Sequence, residues 1–280
     1  MSALTPDNPL AEPADRAVLE AFLAHFGIPR DLPPRELLRR TIAAFARLPY
    51  ENLTKIIKHD ACGSAESSRR APLEVVTDHR SWGAGGTCFS LTATLVHLVR
   101  ALGWRAEPLL ADRRYGPDTH SALVVWLDDR PHLVDPGYLI VDPIPLDVPA
   151  TQRIATSFNQ LVLTPRDGGE RLELSTVQNG SATYRLTFRT QPVDAGQFLR
   201  AWDASFAWDM MQYPVLTRAD QSGQTYLQGR RLQHRTPSGV DRQELSDDEL
   251  IDRIAAEFGI AREVARRALT VLGRSPHCPR

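Results

Sequence analysis

Apolar residues recur at helical spacing near the start of the chain, as Ala17, Leu19, Ala21, Phe22 and Phe26, and again as Leu37, Leu38, Ile42, Phe45 and Leu48 after the prolines at 33 and 34. Spacings of three and four bring such residues onto one face, so this part reads as packed helices. From Pro108 to Phe188 the period changes. Short β-rich runs, SALVVWL, HLVDPGYLIV, QLVLTP, RLELSTV and ATYRLTF, are separated by DDRP, RDGGE and QNG, which have the composition of turns. These predict an antiparallel sheet or small barrel. Beyond Pro192 the pattern is mixed. It predicts a helix around Ala195 to Met211, a strand-turn-strand in VLTRADQSGQTYLQGRRLQHR, and a final helix in LSDDELIDRIAAEFG. Ser246 is the N-cap of that last helix, acidic residues fill its first turn, and Gly259 suits its close.

Composition narrows the function classes. Apolar residues make up 42% of the 280 positions and charged residues 24%, values of a chain that folds. Thirty-three Lys and Arg stand against 34 Asp and Glu, a net charge of -1, so no global field draws the protein to nucleic acid or to an anionic membrane. No apolar run is long enough to span a bilayer, and the N-terminal segment lacks the basic and apolar regions of a signal peptide. The expected location is cytoplasmic, with small-molecule partners and no nucleic acid or membrane partner.

The three cysteines, Cys62, Cys88 and Cys278, are far apart and include no CxxC pair, which argues against a disulfide framework and against a thiolate metal site. Cys62, in ACGSAESSRR, and Cys278, in RSPHCPR, read as incidental thiols. Cys88 differs. In GAGGTCFSLTATLVHLVRALG a glycine-rich loop runs into an amphipathic helix, with Thr87 as N-cap, Cys88 at the first helical position and Gly103 as a left-handed stop. Unpaired N–H groups and the macrodipole at a helix start favour an anion, so the thiol ionises more readily there. The bare glycines at 83, 85 and 86 would let a substrate carbonyl approach the sulfur. The competing reading is a small buried hydrophobe beside a tight turn.

A thiolate nucleophile gains from an imidazole that takes its proton, and the imidazole from a carboxylate that fixes its tautomer. His120 opens the strand HSALVVWL and Asp135 closes HLVD. Any hairpin with an even-numbered loop places 120 and 135 on one face. If DDRP is the whole loop, Asp135 falls opposite Val124, and contact with His120 needs another loop, a bulge or a distortion. The remaining histidines suit this role less well. His97 belongs to the apolar helix, His132 faces away from Asp135, and His59, His79, His234 and His277 lie in polar or loop-like surroundings.

With Cys88, His120 and Asp135 in this order, inside GAGGTCF, THSALVVWL and HLVDPGY, the sequence resembles the arylamine N-acetyltransferase family. LPYENLTKI is similar to its Pro-Phe-Glu-Asn-Leu segment, WDASFAWDMMQYPVLTRADQSGQTYLQGRRL to its lid region, and LIDRIAAEFGI to its Leu-x-x-x-Phe-Gly-Ile ending. The resemblance implies an α+β fold of three lobes with a cysteine-protease-like core. These are an N-terminal helical bundle carrying the nucleophile (1–103), a central antiparallel β-barrel (104–192) and a C-terminal α/β lid (193–280). It implies catalytic roles for Cys88, His120 and Asp135 and ping-pong transfer of an acetyl or other acyl group through a cysteine thioester. The donor would be acetyl-coenzyme A or another acyl-coenzyme A as cosubstrate, the acceptor an arylamine, hydrazine or related amine, with no tightly bound cofactor and no metal.

By the same resemblance, Gly137 to Pro145 corresponds to the coenzyme A loop, with Gly137 and Tyr138 as contacts. The family's Arg-Gly-Gly-x-Cys-Phe-Glu-x-Asn becomes Ala84 to Thr92 here, with Ala84, Ser90 and Thr92 in place of Arg, Glu and Asn. Glu51, the partner of the missing arginine, is expected to find another cation such as Arg80. Two other readings stay open: an amide synthase or transglutaminase-like cysteine enzyme with another acyl donor, and a family member that binds without turnover.

Overall fold

The helix that Cys88 opens is buried on nearly all sides, because its sequence CFSLTATLVHLVRA is small or apolar around almost the whole circumference. A computed structural model describes residues 8–138, 140–178 and 180–274. Five helices precede the main sheet: α1 (Ala17–Phe26), α2 (Pro34–Phe45), α3 (Leu53–Cys62), α4 (Pro72–Trp82) and α5 (Cys88–Ala101), with the two-residue strand β1 (Tyr50–Glu51) between α2 and α3. Phe22, Phe45, Phe89 and Leu98, each at most 1% exposed, belong to the core that surrounds α5. Burying side chains of this size is worth about 1.5–3 kcal/mol each. Gly103, in the left-handed region at φ 89°, ends the helix as expected.

Eight antiparallel strands follow: β2 (Ala106–Arg113), β3 (Gly116–Leu127), β4 (Arg130–Asp135), β5 (Ile140–Pro145), β6 (Gln152–Ala155), β7 (Gln160–Arg166), β8 (Arg171–Gln178) and β9 (Ser181–Arg189). They pair in the order β5-β4-β3-β2-β9-β8-β7-β6. The edge strands β5 and β6 do not pair with each other, so the predicted barrel is a curled half-barrel. HLVDPGYLIV splits into β4 and β5 around a turn. The segment likened to a coenzyme A loop is therefore strand from Ile140 onward. β2, which pairs along most of its length with β3 and through Ala111 and Asp112 with β9, joins the halves of the sheet and had no clean alternation: its pattern AEPLLADR is buried at four consecutive positions.

The last part holds α6 (Ala195–Ala204), β10 (Val215–Asp220), β11 (Gly223–Gln228), β12 (Arg231–Thr236), β13 (Gly239–Glu244), α7 (Asp247–Phe258) and α8 (Arg262–Arg274). The expected helix to Met211 stops at Ala204 and continues as two short 3-10 turns. Ser246 caps α7 in a full capping box with Glu249. That helix is not the last: α8 follows, burying Val264, Ala265, Ala268 and Leu272 at helical spacing. The strand-turn-strand is a four-stranded meander to which β1 adds as a fifth strand, through Tyr50↔Thr217 and Glu51↔Leu216. Asn52 reinforces this join. Its Nδ2 donates to the carbonyls of Met210 (2.5 Å) and Tyr213 (2.8 Å), and its Oδ1 accepts from the Val215 N–H at 2.8 Å. Segment 50–52 thus fastens the helical part to the C-terminal sheet beside the glycine loop, where the Glu51 N–H donates to Gly86 O at 2.9 Å. Among the described residues no helix is long and apolar enough to cross a membrane.

Candidate active site

Cys88 occupies the first turn of α5, 2% exposed. Thr87 has the extended backbone of an N-cap, but its side chain makes no capping bond, so the first-turn N–H groups keep their pull on an anion. The glycines before it serve a purpose other than the expected one. A Cβ on Gly83 would meet Gly259 O at 2.0 Å, one on Gly85 would meet Pro49 O at 1.8 Å, and one on Gly86 would meet Ser90 Oγ at 2.2 Å. They let the loop pack against the protein's own backbone and side chains. The glycine that adjoins Cys88, His120 and Asp135 is Gly137. A Cβ there would lie 3.1 Å from Cys88 Cβ, 3.1 Å from His120 Cε1 and 3.4 Å from Asp135 Oδ1. One methyl group would thus touch three side chains drawn from α5, β3 and the end of β4.

The hairpin explains how Asp135 reaches His120. The β3–β4 loop is only Asp128 and Asp129, with Leu127 paired to Arg130. Both loop residues have positive φ, 49° and 59°, as a type I′ hairpin requires. The pairing Leu123↔Val134 puts Asp135 one step further, across from position 122 rather than Val124. It is then a same-face diagonal neighbour of His120. His120 and Asp135 are both fully buried, and Nε2 and Oδ2 are 2.7 Å apart. Asp135 Oδ1 also accepts from the Tyr138 N–H at 2.9 Å, so the turn that carries Gly137 and Tyr138 braces the carboxylate.

Arg113, at a register shift in the β2–β3 pairing, sets the tautomer. Its Nη2 donates to His120 Nδ1 at 3.0 Å, and its Nη1 to the Tyr115 hydroxyl at 2.7 Å. A guanidinium has no acceptor, so in the neutral ring this contact leaves the lone pair on Nδ1 and the Nε2 proton on the Asp135 side; once Nδ1 takes the thiol proton, the bond from Arg113 must be given up. With Nε2 committed, Nδ1 is the nitrogen left for the thiol. Burial opposes the charge of Cys88, but its hydrogen bond to His120 and the positive charges of His120, Arg113 and Lys55 outweigh that and lower its pKa. Burial likewise opposes the charge on His120, and the charge and hydrogen bond of Asp135 overcome it, raising His120 to about 9. The arrangement favours a thiolate beside an imidazolium.

Two further basic residues support the site. Lys55 Nζ donates to Ser205 O at 2.9 Å and Oγ at 2.5 Å and lies 4.2 Å above the Phe206 ring; burial pushes its pKa down to about 7. The partner of Glu51 is Arg70, not Arg80. Arg70 Nη1 is 3.7 Å from Glu51 Oε1 and donates to Thr54 Oγ1 (2.7 Å) and Gly85 O (2.5 Å), while its Nη2 donates to Asp78 at 2.7 Å. Arg70 lies on the segment before α4, whereas Arg80 sits at the far end of that helix. Thr92 accepts from Ser121 Oγ at 3.3 Å beside His120, and Ser90 Oγ donates to Thr87 O at 3.1 Å. Cys62 is exposed at the end of α3; Cys278 lies outside the described residues. The sequence carried no signal for Arg113, Lys55 or Arg70, each a lone basic residue that only tertiary packing aims inward.

A cavity of about 690 Å³ adjoins the triad. Tyr50, Arg113, Gly137 and Tyr138 line it, as do Arg114, Arg185 and Arg235. Gly137 and Arg113 are also the residues in contact with the buried triad, so the cavity ends against it.

A family model described as N-acetyltransferase matches residues 36–267. The chain belongs to the arylamine N-acetyltransferase family. The fold agrees with that of solved members. The arylamine N-acetyltransferase of Mycobacterium abscessus superposes with a TM-score of 0.75 at 21% identity, covering 92% of this chain and 95% of that one. The enzyme of M. tuberculosis gives 0.71 at 18%, over 89% and 99%. An arylamine N-acetyltransferase from Bacillus cereus, described as having a unique Cys-His-Glu catalytic triad, gives 0.70 at 16%, over 88% and 99%. No curated protein matches by sequence. As a member of the family the chain is an acyltransferase of the arylamine N-acetyltransferase type. It departs from the family's motif at Ala84, where the guanidinium of Arg70 takes over contact with Glu51 from another place in the chain.

Proposed function

We propose that the protein carries an acyl group from a coenzyme A thioester to an arylamine, hydrazine or related amine through Cys88, with His120 as base and Asp135 as orienting group. The observation that carries this reading is the buried His120–Asp135 bond of 2.7 Å beside a cysteine at a helix start. Cys88 attacks the donor carbonyl, the carbon–sulfur bond to coenzyme A breaks, and the coenzyme A thiolate leaves with the proton held by His120. The amine then attacks the enzyme thioester. A carbon–nitrogen bond forms, the bond to Cys88 breaks, and the amine's proton passes to His120, restoring the thiolate–imidazolium pair. The uncapped N–H groups of α5 are donors suited to the oxyanion that develops at each addition.

The cavity supports a coenzyme A thioester as cosubstrate. Arginine is the residue type best suited to phosphate, and Arg114, Arg185 and Arg235 line the wall. Gly137 and Tyr138 would contact the pantetheine end, a Cβ on Gly137 being crowded at 3.1 Å from Cys88 Cβ. The test is the release of free coenzyme A from acetyl-coenzyme A with and without an arylamine. A burst of about one equivalent without acceptor, and turnover with it, supports the scheme. Release that requires acceptor and precedes no modified cysteine would remove it.

A further inference from the structure

Lys55 is placed against three ordinary preferences of a cation. It is 4% exposed, it makes no ion pair with a carboxylate among the described residues, and it stands in the first turn of α3, where the helix macrodipole is itself positive. Burial accordingly pushes its pKa down, to about 7, while the charge of Cys88 works in the other direction. What surrounds the side chain nevertheless suits its charged form. Ser205 accepts two of the three ammonium N–H donors, through its carbonyl oxygen at 2.9 Å and its hydroxyl at 2.5 Å. The Phe206 and Trp208 rings lie under the nitrogen, with centroids at 4.2 and 5.7 Å, and an aromatic face attracts a cation rather than an amine.

The same rings connect Lys55 to the nucleophile. Trp208 lies 6.1 Å from the ring of Phe89, the residue after Cys88, so the ammonium is packed one aromatic layer from the start of α5. The other charged groups of this region are already matched. Lys58 pairs with Glu74, Arg69 with Asp203, and the neighbouring His59 shares a hydrogen bond with Ser68. The charge left to act on Lys55 is that of Cys88, and Lys55 is in turn one of the cations that lower the pKa of Cys88. Opposite charges in a dry site each favour the ionised form of the other. His120 gives away its proton and recovers it during the reaction, whereas Lys55, bonded to Ser205, takes no part in those transfers.

We propose that Lys55 is a positioning residue whose ammonium, fixed by Ser205 and two aromatic rings, keeps the Cys88 sulfur ionised for attack on the donor. The alternative is a purely structural tie between α3 and the segment that follows α6. The inference rests on the reading of Cys88 as the acyl carrier.

The pH profile of Cys88 alkylation by iodoacetamide, followed on the peptide that contains Cys88, separates the charge from the tie. Lys55→Gln keeps a donor for Ser205 and removes the charge. It should move the midpoint up by about one pH unit, the low end of what a nearby opposite charge supplies. Below the wild-type midpoint its rate should fall about tenfold, and at about pH 10 it should match the wild type. Ser205→Ala removes a hydrogen bond and keeps the charge, and should leave the midpoint in place. Lys55→Arg should stay nearer the wild type than Lys55→Gln, and Lys55→Met is a second uncharged variant for the case that Lys55→Gln does not fold. An uncharged variant with the wild-type midpoint, or a Ser205→Ala variant shifted as far as Lys55→Gln, overturns the inference in favour of the tie. Acetyl-coenzyme A given to the same proteins tests the reading beneath it. Wild-type protein that takes no acetyl group on Cys88 removes that reading and the inference with it, whereas an acetylated wild type with an unshifted Lys55→Gln midpoint removes the inference alone.

Discussion

Gly137→Ala adds one methyl group at the point where the three triad side chains meet, and its consequence can be worked out contact by contact. The new carbon would lie 3.1 Å from both Cys88 Cβ and His120 Cε1 and 3.4 Å from Asp135 Oδ1. The first two separations are shorter than ordinary carbon–carbon contact of about 3.5–4.0 Å, so each neighbour must yield by a few tenths of an ångström. Gly137 is not among the residues with positive φ, so alanine meets no backbone penalty and the effect is purely one of space. Overpacking a buried site costs about 1–3 kcal/mol. Displacing the sulfur from the imidazole by a fraction of an ångström should cost much of the about 10²-fold that a misplacement of 1 Å brings.

The assays are thermal unfolding and the rate at which iodoacetamide alkylates Cys88, which needs no knowledge of the substrate. Gly103→Ala is the matched control. There the backbone is left-handed at φ 89° and a Cβ meets nothing within 4 Å. It should lose about 1 kcal/mol from backbone strain while alkylation keeps its wild-type rate. Gly137→Ala that folds and reacts like the wild type would refute the claim that the glycine is the hub of the site.

Other outcomes follow from the same geometry. His120→Ala should move the pH midpoint of Cys88 alkylation upward towards the ordinary value of about 8.5, because the hydrogen bond and charge that lower it are gone. The folded protein holds the His120 proton up to about pH 9, and the unfolded chain only to about 6.5. The stability this group contributes is therefore complete below pH 6.5 and is lost as the pH rises through about 9; in Asp135→Asn the decline should shrink, as urea titrations across that range would report. Arg70→Met strands Glu51, which is fully buried, and should cost about 3–5 kcal/mol. Glu51→Gln added to Arg70→Met should recover part of that loss in the same denaturation assay.

The grouping of Cys88, His120 and Asp135 was legible because each sits at a boundary that local chemistry marks: a cysteine after glycines at a helix start, a histidine opening an apolar strand, an aspartate closing the next one. Parity placed His120 and Asp135 on one face, and only the loop was misjudged. DDRP reads as four turn residues, but Arg130 and Pro131 pair with Leu127 and Trp126, and two aspartates accept the left-handed backbone usually given to glycine. β2 was hidden because a strand buried on both faces shows no alternation. α8 was as legible as α7, since Val264, Ala265, Ala268 and Leu272 recur at helical spacing among arginines, although no helix was expected after Gly259. The basic residues around the site were beyond reach for another reason. Arg70 replaces a motif arginine from fourteen positions away in sequence, and Arg113 is aimed at His120 by an irregularity in strand pairing that depends on the register of the whole sheet.

The central claim is that Cys88 carries the acyl group, and peptide mass spectrometry after brief exposure to acetyl-coenzyme A tests it most directly. The account predicts one acetyl group, on the peptide containing Cys88, removed when an arylamine is added and absent from Cys88→Ser. Acetyl found on other residues only, or a label on Cys88 that no amine can discharge, would contradict it.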